Sequence, residues 1–216
     1  EYKDFNDFFT RSLKSDSRPI SNSKLISPVD GVVSQSGRIE DSMILQAKGK
    51  QYSVSALLAD NSKNNFFNSF ATIYLSPKDY HRIHMPCNGI LKTMKYIPGN
   101  LFSVNQSTVN KIDNVFARNE RLVCIFDTDF GEIALIMIGA IFVGSMQTSW
   151  EGQITPPYTK SVKKYNYNNH HISILKGDEL GRFNMGSTVI LMLPNESPEL
   201  CLKQGQPLKM GQSITD

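Results

Sequence analysis

The sequence predicts a mainly β protein, an antiparallel sandwich or barrel-like core with a few short helices. Three observations carry that expectation. From Leu25 onward the chain is written in short apolar runs closed off by Gly, Pro, Asn or Asp: LISPVDGVVS, MILQAKGKQYSV, ATIYLSP, GILKTMKYIPG, GQITPP and STVILMLP. That is the texture of strands joined by tight turns. The stretch DTDFGE separates two long apolar runs, RLVCIF and IALIMIGAIFVGS, as a hairpin loop does. Finally, 40% of the 216 residues are apolar and 10% aromatic, enough to bury a core and too many for a disordered chain. No repeat period or flexible linker divides residues 1–216, so one domain is expected.

Taken in order, Phe5, Phe8, Phe9 and Leu13 recur at helical spacing, with Asp4, Asp7, Arg11 and Lys14 on other faces. This predicts an amphipathic N-terminal helix ended by Arg18-Pro19, able to dock on the core or on a membrane surface. Ser55–Phe70 (SALLADNSKNNFFNSF) can supply one short helix, although its Asn and Ser residues work against it. STVILML, from Ser187 on, reads as a strand inside the sheet. The stretch Ile133–Met146 is shorter than the roughly 20 apolar residues of a spanning helix and is broken by Gly139 and Gly144, so no crossing of a bilayer is expected. The chain opens on Glu1 with no basic-then-apolar leader, which leaves two readings, a segment removed or a sequence trimmed, and room in either for a missing anchor.

The charge balance is even, 23 Lys and Arg against 20 Asp and Glu, with both signs interspersed. This argues against a nucleic-acid partner. Cys87, Cys124 and Cys201 form no CxxC pair and fit a reducing compartment without disulfides. Of the four histidines, His170 and His171 sit in the polar run YNYNNHH of a solvated loop. His81 and His84 sit in DYHRIHMP, where Pro77 and Pro86 leave no room for the helix that would put both rings on one metal. No metal is expected. The plain reading of this pair is two hydrogen-bonded turn residues. Asp30-Gly31 by itself is an ordinary turn signal, and Gly186-Ser187 lacks the spacing of a nucleophile elbow because Val189 stands where a second Gly would be needed.

The order and wording of these segments nevertheless resemble the bacterial-type, pyruvoyl-dependent phosphatidylserine decarboxylases. The resemblance runs through FNDFFTRSLK and RPI, SPVDGVV, SPKDYHRIHMPCNGILKTMKYIPGNLFSVN, NVFARNERLVCIFDTDFG, VGSMQTSWEGQITPP and GRFNMGSTVILMLP. Met185 stands where the family's cleavage motif usually has Leu, an exchange of similar volume. The resemblance implies self-cleavage between Gly186 and Ser187 into a larger chain of residues 1–186 and a smaller one of 187–216 that stay associated. Ser187 becomes a covalent pyruvoyl group that forms a Schiff base with the substrate amine. The role is chemically apt, because decarboxylating an amino acid needs an electron sink that no natural side chain provides. By the same resemblance His84 is the base that activates Ser187, Asp30 orients and stabilises its imidazole, and His81 assists turnover. The implied reaction converts phosphatidylserine to phosphatidylethanolamine and CO2. The implied setting is a homodimer held peripherally at the cytoplasmic face of the bacterial inner membrane. A pyruvoyl decarboxylase of a soluble amino acid, a non-enzymatic β-sandwich binding module and a zinc hydrolase built on His81 and His84 are the alternatives.

Overall fold

The computed structural model describes residues 2–14, 16–63, 66–141, 145–184 and 187–216. Its strands, in chain order, are β1 Gly31–Arg38, β2 Met43–Ala47, β3 Lys50–Ser53, β4 Ser69–Leu75, β5 Arg82–His84, β6 Gly89–Ile97, β7 Arg121–Thr128 and β8 Gly131–Ile138. They continue with β9 Met146–Thr148, β10 Gly152–Gln153, β11 Lys163–Asn166, β12 Ser173–Ile174, β13 Glu179–Phe183, β14 Ser187–Leu193 and β15 Pro207–Leu208. The α-helices are α1 Phe5–Phe9, α2 Val54–Leu58, α3 Gln106–Lys111 and α4 Val115–Arg118.

The protein is mainly β, as its short apolar runs predict, and the sheets are open rather than closed into a barrel. A large sheet runs β11-β6-β7-β8-β14-β4-β1-β15, with β12 also on β6, and a smaller one runs β10-β9-β13-β5. The two longest apolar runs explain the layering. In β8, Ile133, Leu135 and Met137 enter one buried cluster, whereas Ala134, Ile136 and Ile138 enter another. The same split separates Val189, Leu191 and Leu193 of β14 from Ile190 and Met192. Alternate side chains leave opposite faces of a strand, so both faces of the large sheet are covered at its centre. Ile83, Met146, Leu180 and Phe183 of the small sheet pack on the first face. The β2–β3 hairpin and the helices cover the second, through Ile44, Tyr52, Leu57, Val109 and Phe116. The result is three layers, with the large sheet in the middle.

DTDFGE closes the β7–β8 hairpin: Thr128 pairs with Gly131 across Asp129 and Phe130, and Gly131 takes a φ of 102°, which favours glycine. Elsewhere the helices depart from expectation. The N-terminal helix stops at Phe9, four residues short of Leu13, and docks on the core through Phe9, which is buried against the ring of His81, with centroids 3.9 Å apart. The helix expected in Ser55–Phe70 shrinks to α2. Ser53 caps its start by accepting from the Ala56 amide, and Ala59, in the left-handed region at φ 47°, ends it. Helices α3 and α4 were not anticipated. Their few turns show no full amphipathic period, and α3 starts on an Asn105 side chain that accepts from the Thr108 amide. His170 and His171 are exposed, as a polar loop implies. Among the described residues no helix is long and apolar enough to cross a membrane.

The covered centre of the large sheet makes a quantitative expectation. Leu191 is fully buried, between Ala71 of β4 and Leu135 of β8. Leu191→Ala should cost about 2–5 kcal/mol in urea unfolding. Val32→Ala on the exposed side of β1 should stay within about 0.5 kcal/mol.

Candidate active site

The path of the chain on either side of Gly186-Ser187 is set by two antiparallel pairings. Strand β13 lies against β5, with Glu179 opposite His84 and Arg182 opposite Arg82, and an Arg82–Glu179 ion pair of 2.7 Å ties the two together. At its end the Phe183 amide donates to the His81 carbonyl at 3.1 Å, and the Asn184 amide donates to the Ser145 carbonyl at 3.0 Å. Three residues further on, β14 begins: Ser187 is opposite Leu75, the last residue of β4. The peptide expected to break therefore belongs to the crossover from the small sheet to the large one, with His81 at one end and the end of β4 at the other. Met185, Gly186 and the side chain of Ser187 lie outside the described residues.

The turn from β4 into β5 brings His81 there, and His84 follows three residues on, at the end of β5 and opposite Glu179 at the start of β13. Asp79 closes the turn by accepting from both the amide and the hydroxyl of Ser76, at 2.8 and 2.7 Å. His81 Nδ1 then meets the Asp79 carbonyl at 2.8 Å, and His84 Nδ1 meets the Gly177 carbonyl at 2.7 Å. A carbonyl only accepts, so in both rings Nδ1 carries the hydrogen and Nε2 the lone pair. The two lone pairs differ in company. His84 Nε2 accepts from the Tyr80 hydroxyl at 2.8 Å, whereas His81 Nε2 is buried with no partner. Burial lowers both imidazole pKa values, that of His81 to about 4 despite its bond to the Asp79 carbonyl. Both rings are thus neutral bases at neutral pH, and an unpaired buried nitrogen of this kind is free to take a proton from a group brought against it.

Asp30 is placed close by but faces other partners. Its segment runs beside β5, where the His84 amide donates to the Pro28 carbonyl at 2.8 Å. Its carboxylate, almost fully buried, accepts from Arg18 at 2.9 and 2.5 Å, from Lys209 at 3.2 Å and from the Met210 amide at 2.9 Å. Burial alone would raise its pKa; the Arg18 hydrogen bonds, the Met210 amide and the Lys209 charge overcome this and hold it below the usual value. Gly31 permits the approach of this segment to β4, since a Cβ there would stand 2.5 Å from the Tyr74 carbonyl oxygen. Tyr80, the residue bonded to His84 Nε2, is pushed up to about 12 by burial first, with Glu179 and then Asp30 adding to the rise while Arg82 and Arg18 oppose it.

Four participants were not singled out in the sequence. Tyr80 was in plain view, inside the motif that holds both histidines. The Gly177 carbonyl, Arg18 and Lys209 carry no local signal, because each meets its partner only through the fold, Lys209 across 179 residues. Among the described residues no three His, Cys, Asp or Glu side chains gather as a metal site would need.

The histidine environment predicts a titration. The unfolded imidazole binds a proton near pH 6.5, and folded His81 does so only near 4. Between these values the unfolded state holds more protons, so this ring makes stability fall as pH drops from about 6.5 to about 4. An NMR titration should show His81 neutral, protonated at Nδ1, down to about pH 5; a midpoint near 6.5 would contradict the buried placement.

Comparison with known proteins fits this geometry. The family model described as phosphatidylserine decarboxylase matches residues 5–216, which includes both sides of the crossover. The phosphatidylserine decarboxylase proenzyme of Francisella tularensis subsp. novicida is 53% identical over 210 residues, covering 95% of this chain and 74% of the relative. Its counterpart in Francisella tularensis subsp. holarctica is 56% identical over 196 residues, 89% of this chain and 69% of the relative. That of Citrobacter koseri is 49% identical over 230 aligned positions, covering 99% of this chain and 71% of the relative. With the family match spanning nearly the whole sequence and half its residues shared with these relatives, the chain belongs to the phosphatidylserine decarboxylase family.

Proposed function

We propose that this protein is made as a proenzyme, cuts itself between Gly186 and Ser187 into residues 1–186 and 187–216, and then decarboxylates phosphatidylserine to phosphatidylethanolamine and CO2. The observation that carries this reading is a family match that spans residues 5–216 and so includes Gly186-Ser187. The relatives are named for phosphatidylserine, which favours the lipid over a soluble amino acid.

The chemistry assigned to the chain's own residues is as follows. The Ser187 hydroxyl oxygen attacks the Gly186 carbonyl carbon, and the peptide C–N bond is exchanged for an ester. His84 Nε2, whose lone pair is fixed by the Gly177 carbonyl on the far side of the ring, takes the hydroxyl proton. Elimination across Ser187 then releases residues 1–186 with a free carboxylate and leaves dehydroalanine, which water converts to a pyruvoyl group and ammonia. Tyr80, donating to the same His84 nitrogen, holds the ring until the serine replaces it. Asp30 acts through its segment rather than by a direct bond to the ring. The pyruvoyl group supplies the electron sink for loss of CO2. The unpartnered, buried His81 Nε2 beside the crossover fits such a group: it is a neutral base able to hold and return a proton at the substrate carbon. Because the substrate is a diacyl lipid, the protein works at a membrane surface; the cytoplasmic face of the bacterial inner membrane and a homodimeric state complete the proposal.

Mutants separate the two stages. Ser187→Ala should remain one chain on a denaturing gel. His84→Ala and Asp30→Ala should accumulate uncleaved protein. His81→Ala should cleave at least in part yet release CO2 from phosphatidylserine about 10²- to 10⁴-fold more slowly. Cleavage of Ser187→Ala at the same bond would overturn the assignment, and an uncleaved His81→Ala beside a normally cleaved, inactive His84→Ala would exchange the two histidine roles.

A further inference from the structure

The outer end of the site carries a surface that the reaction does not explain, organised around a buried carboxyl. Glu120 is 2% exposed, and its Oε1 accepts from the Tyr96 hydroxyl at 2.8 Å. A Cβ at Gly139 would stand 3.3 Å from Glu120 Oε2 and 3.3 Å from Leu101 Cδ2, so the Leu101 side chain and the carboxyl share the space over that glycine. Tyr158 belongs to the same place: burial, and after it the charge of Glu120, raise the pKa of its hydroxyl. Leu101, Ile141 and Tyr158 nonetheless leave 36%, 51% and 57% of their surface in solvent. Leu101 over Gly139, Ile141 two residues beyond that glycine and Tyr158 within the field of Glu120 gather three large exposed side chains around one buried carboxyl, a rim, whereas isolated exposed apolar residues would call for no explanation.

The rim is joined directly to the crossover. Thr155, at the start of the loop that carries Tyr158, exchanges hydrogen bonds with Met146, its amide to the Met146 carbonyl at 3.3 Å and the Met146 amide to its hydroxyl at 3.2 Å. Met146 is paired with Phe183, and the adjacent Ser145 accepts from the Asn184 amide. The loop that bears Tyr158 therefore springs from the strand pair that delivers the chain to Gly186.

Its charge is one-sided. Residues 152–177 contain four lysines and no Asp or Glu. Lys163 is opposite Tyr96 in the β11–β6 pair and so lies on the Tyr96–Glu120 side of the sheet, whereas Lys164 is opposite Lys95 and lies on the other side. Lys160 is exposed two residues beyond Tyr158.

Resting on the reading that the substrate is a membrane lipid, we propose that an anionic bilayer docks on the rim of Leu101, Ile141 and Tyr158, with Lys160 and Lys163 at the headgroups, and that this contact turns the mouth of the Gly186-Ser187 site toward the lipid. Exposed apolar side chains beside Lys160 and Lys163 match the two components of interfacial binding, insertion at the acyl boundary and attraction to acidic headgroups. A bilayer containing phosphatidylserine is itself anionic, so charge complementarity selects the bilayer over a neutral protein surface.

The test uses the full-length processed protein, sedimented with vesicles of phosphatidylcholine alone or mixed with phosphatidylglycerol, an acidic lipid that is not the substrate. The wild type should bind the acidic vesicles more tightly, with a gain that salt removes. The double variant Lys160→Glu/Lys163→Glu should lose about tenfold or more of that gain. Tyr158→Ser/Ile141→Ser should weaken binding to both vesicle types. Both variants should self-cleave and decarboxylate a soluble short-chain phosphatidylserine like the wild type, while losing turnover on vesicles. Wild-type-like vesicle binding by the lysine variant, no preference of the wild type for acidic vesicles, or an equal loss on soluble substrate would each overturn the proposal. Failure of the functional reading shows separately, as a wild type that neither cleaves nor acts on the soluble lipid.

Discussion

Everything in this protein's proposed chemistry depends on the double pairing of β14. The strand begins at Ser187 and is held on one side by β4 and on the other by β8, with apolar side chains filling both of its faces. A strand clamped in this way cannot slide, because a one-residue slip would exchange its two apolar faces and break both ladders. The start of β14 is therefore a fixed point, and so is the end of β13 on its small sheet. The short crossover between them is the part of the chain whose two ends belong to different layers. Once that crossover is cut, the smaller piece stays in place because its first seven residues are the centre of the large sheet. Self-cleavage then changes covalent structure at little cost to the fold.

The second constraint is electrostatic. Two imidazoles are buried on one short segment, and a buried ring is cheapest when neutral. Each is oriented by a backbone carbonyl on Nδ1, Asp79 for His81 and Gly177 for His84, so that a lone pair remains on Nε2. In a hydrolase triad a carboxylate does this orienting; here the carboxylate of Asp30 is saturated by Arg18, Lys209 and the Met210 amide. An acid bound this tightly to two cations organises the segment that supports β5. Tyr80, whose hydroxyl meets His84 Nε2, is the partner that a residue-by-residue transfer of a triad leaves out.

How much of this was legible in the sequence follows from how local each interaction is. The β class, the β7–β8 hairpin and the β14 strand are written in short apolar runs and in the Gly131 turn, and the structure returns them. The open sheets and the three layers depend on which strands pair, which no run of residues encodes by itself. The helices carry the weakest local signal: α1 ends four residues before the last apolar position of its pattern, and α3 and α4 are too short to show a period. At the site, Asp30, His81, His84, Gly186 and Ser187 stood out through the family resemblance; the fold sets His81 and His84 beside β13 and Asp30 just before β1, next to β4. The partners of Asp30 and the carbonyl behind His84 come from distant parts of the chain and left no mark near them.

The central claim is that Ser187 becomes the first residue of a separate chain and loses its amine in doing so. Intact-mass spectrometry of the purified protein under denaturing conditions tests this most directly. The account predicts two masses, one for residues 1–186 and one for residues 187–216 that is lighter by one ammonia than a fragment beginning with serine, and a single particle containing both under native conditions. A single uncut chain, or a small fragment that retains an N-terminal serine, would contradict it.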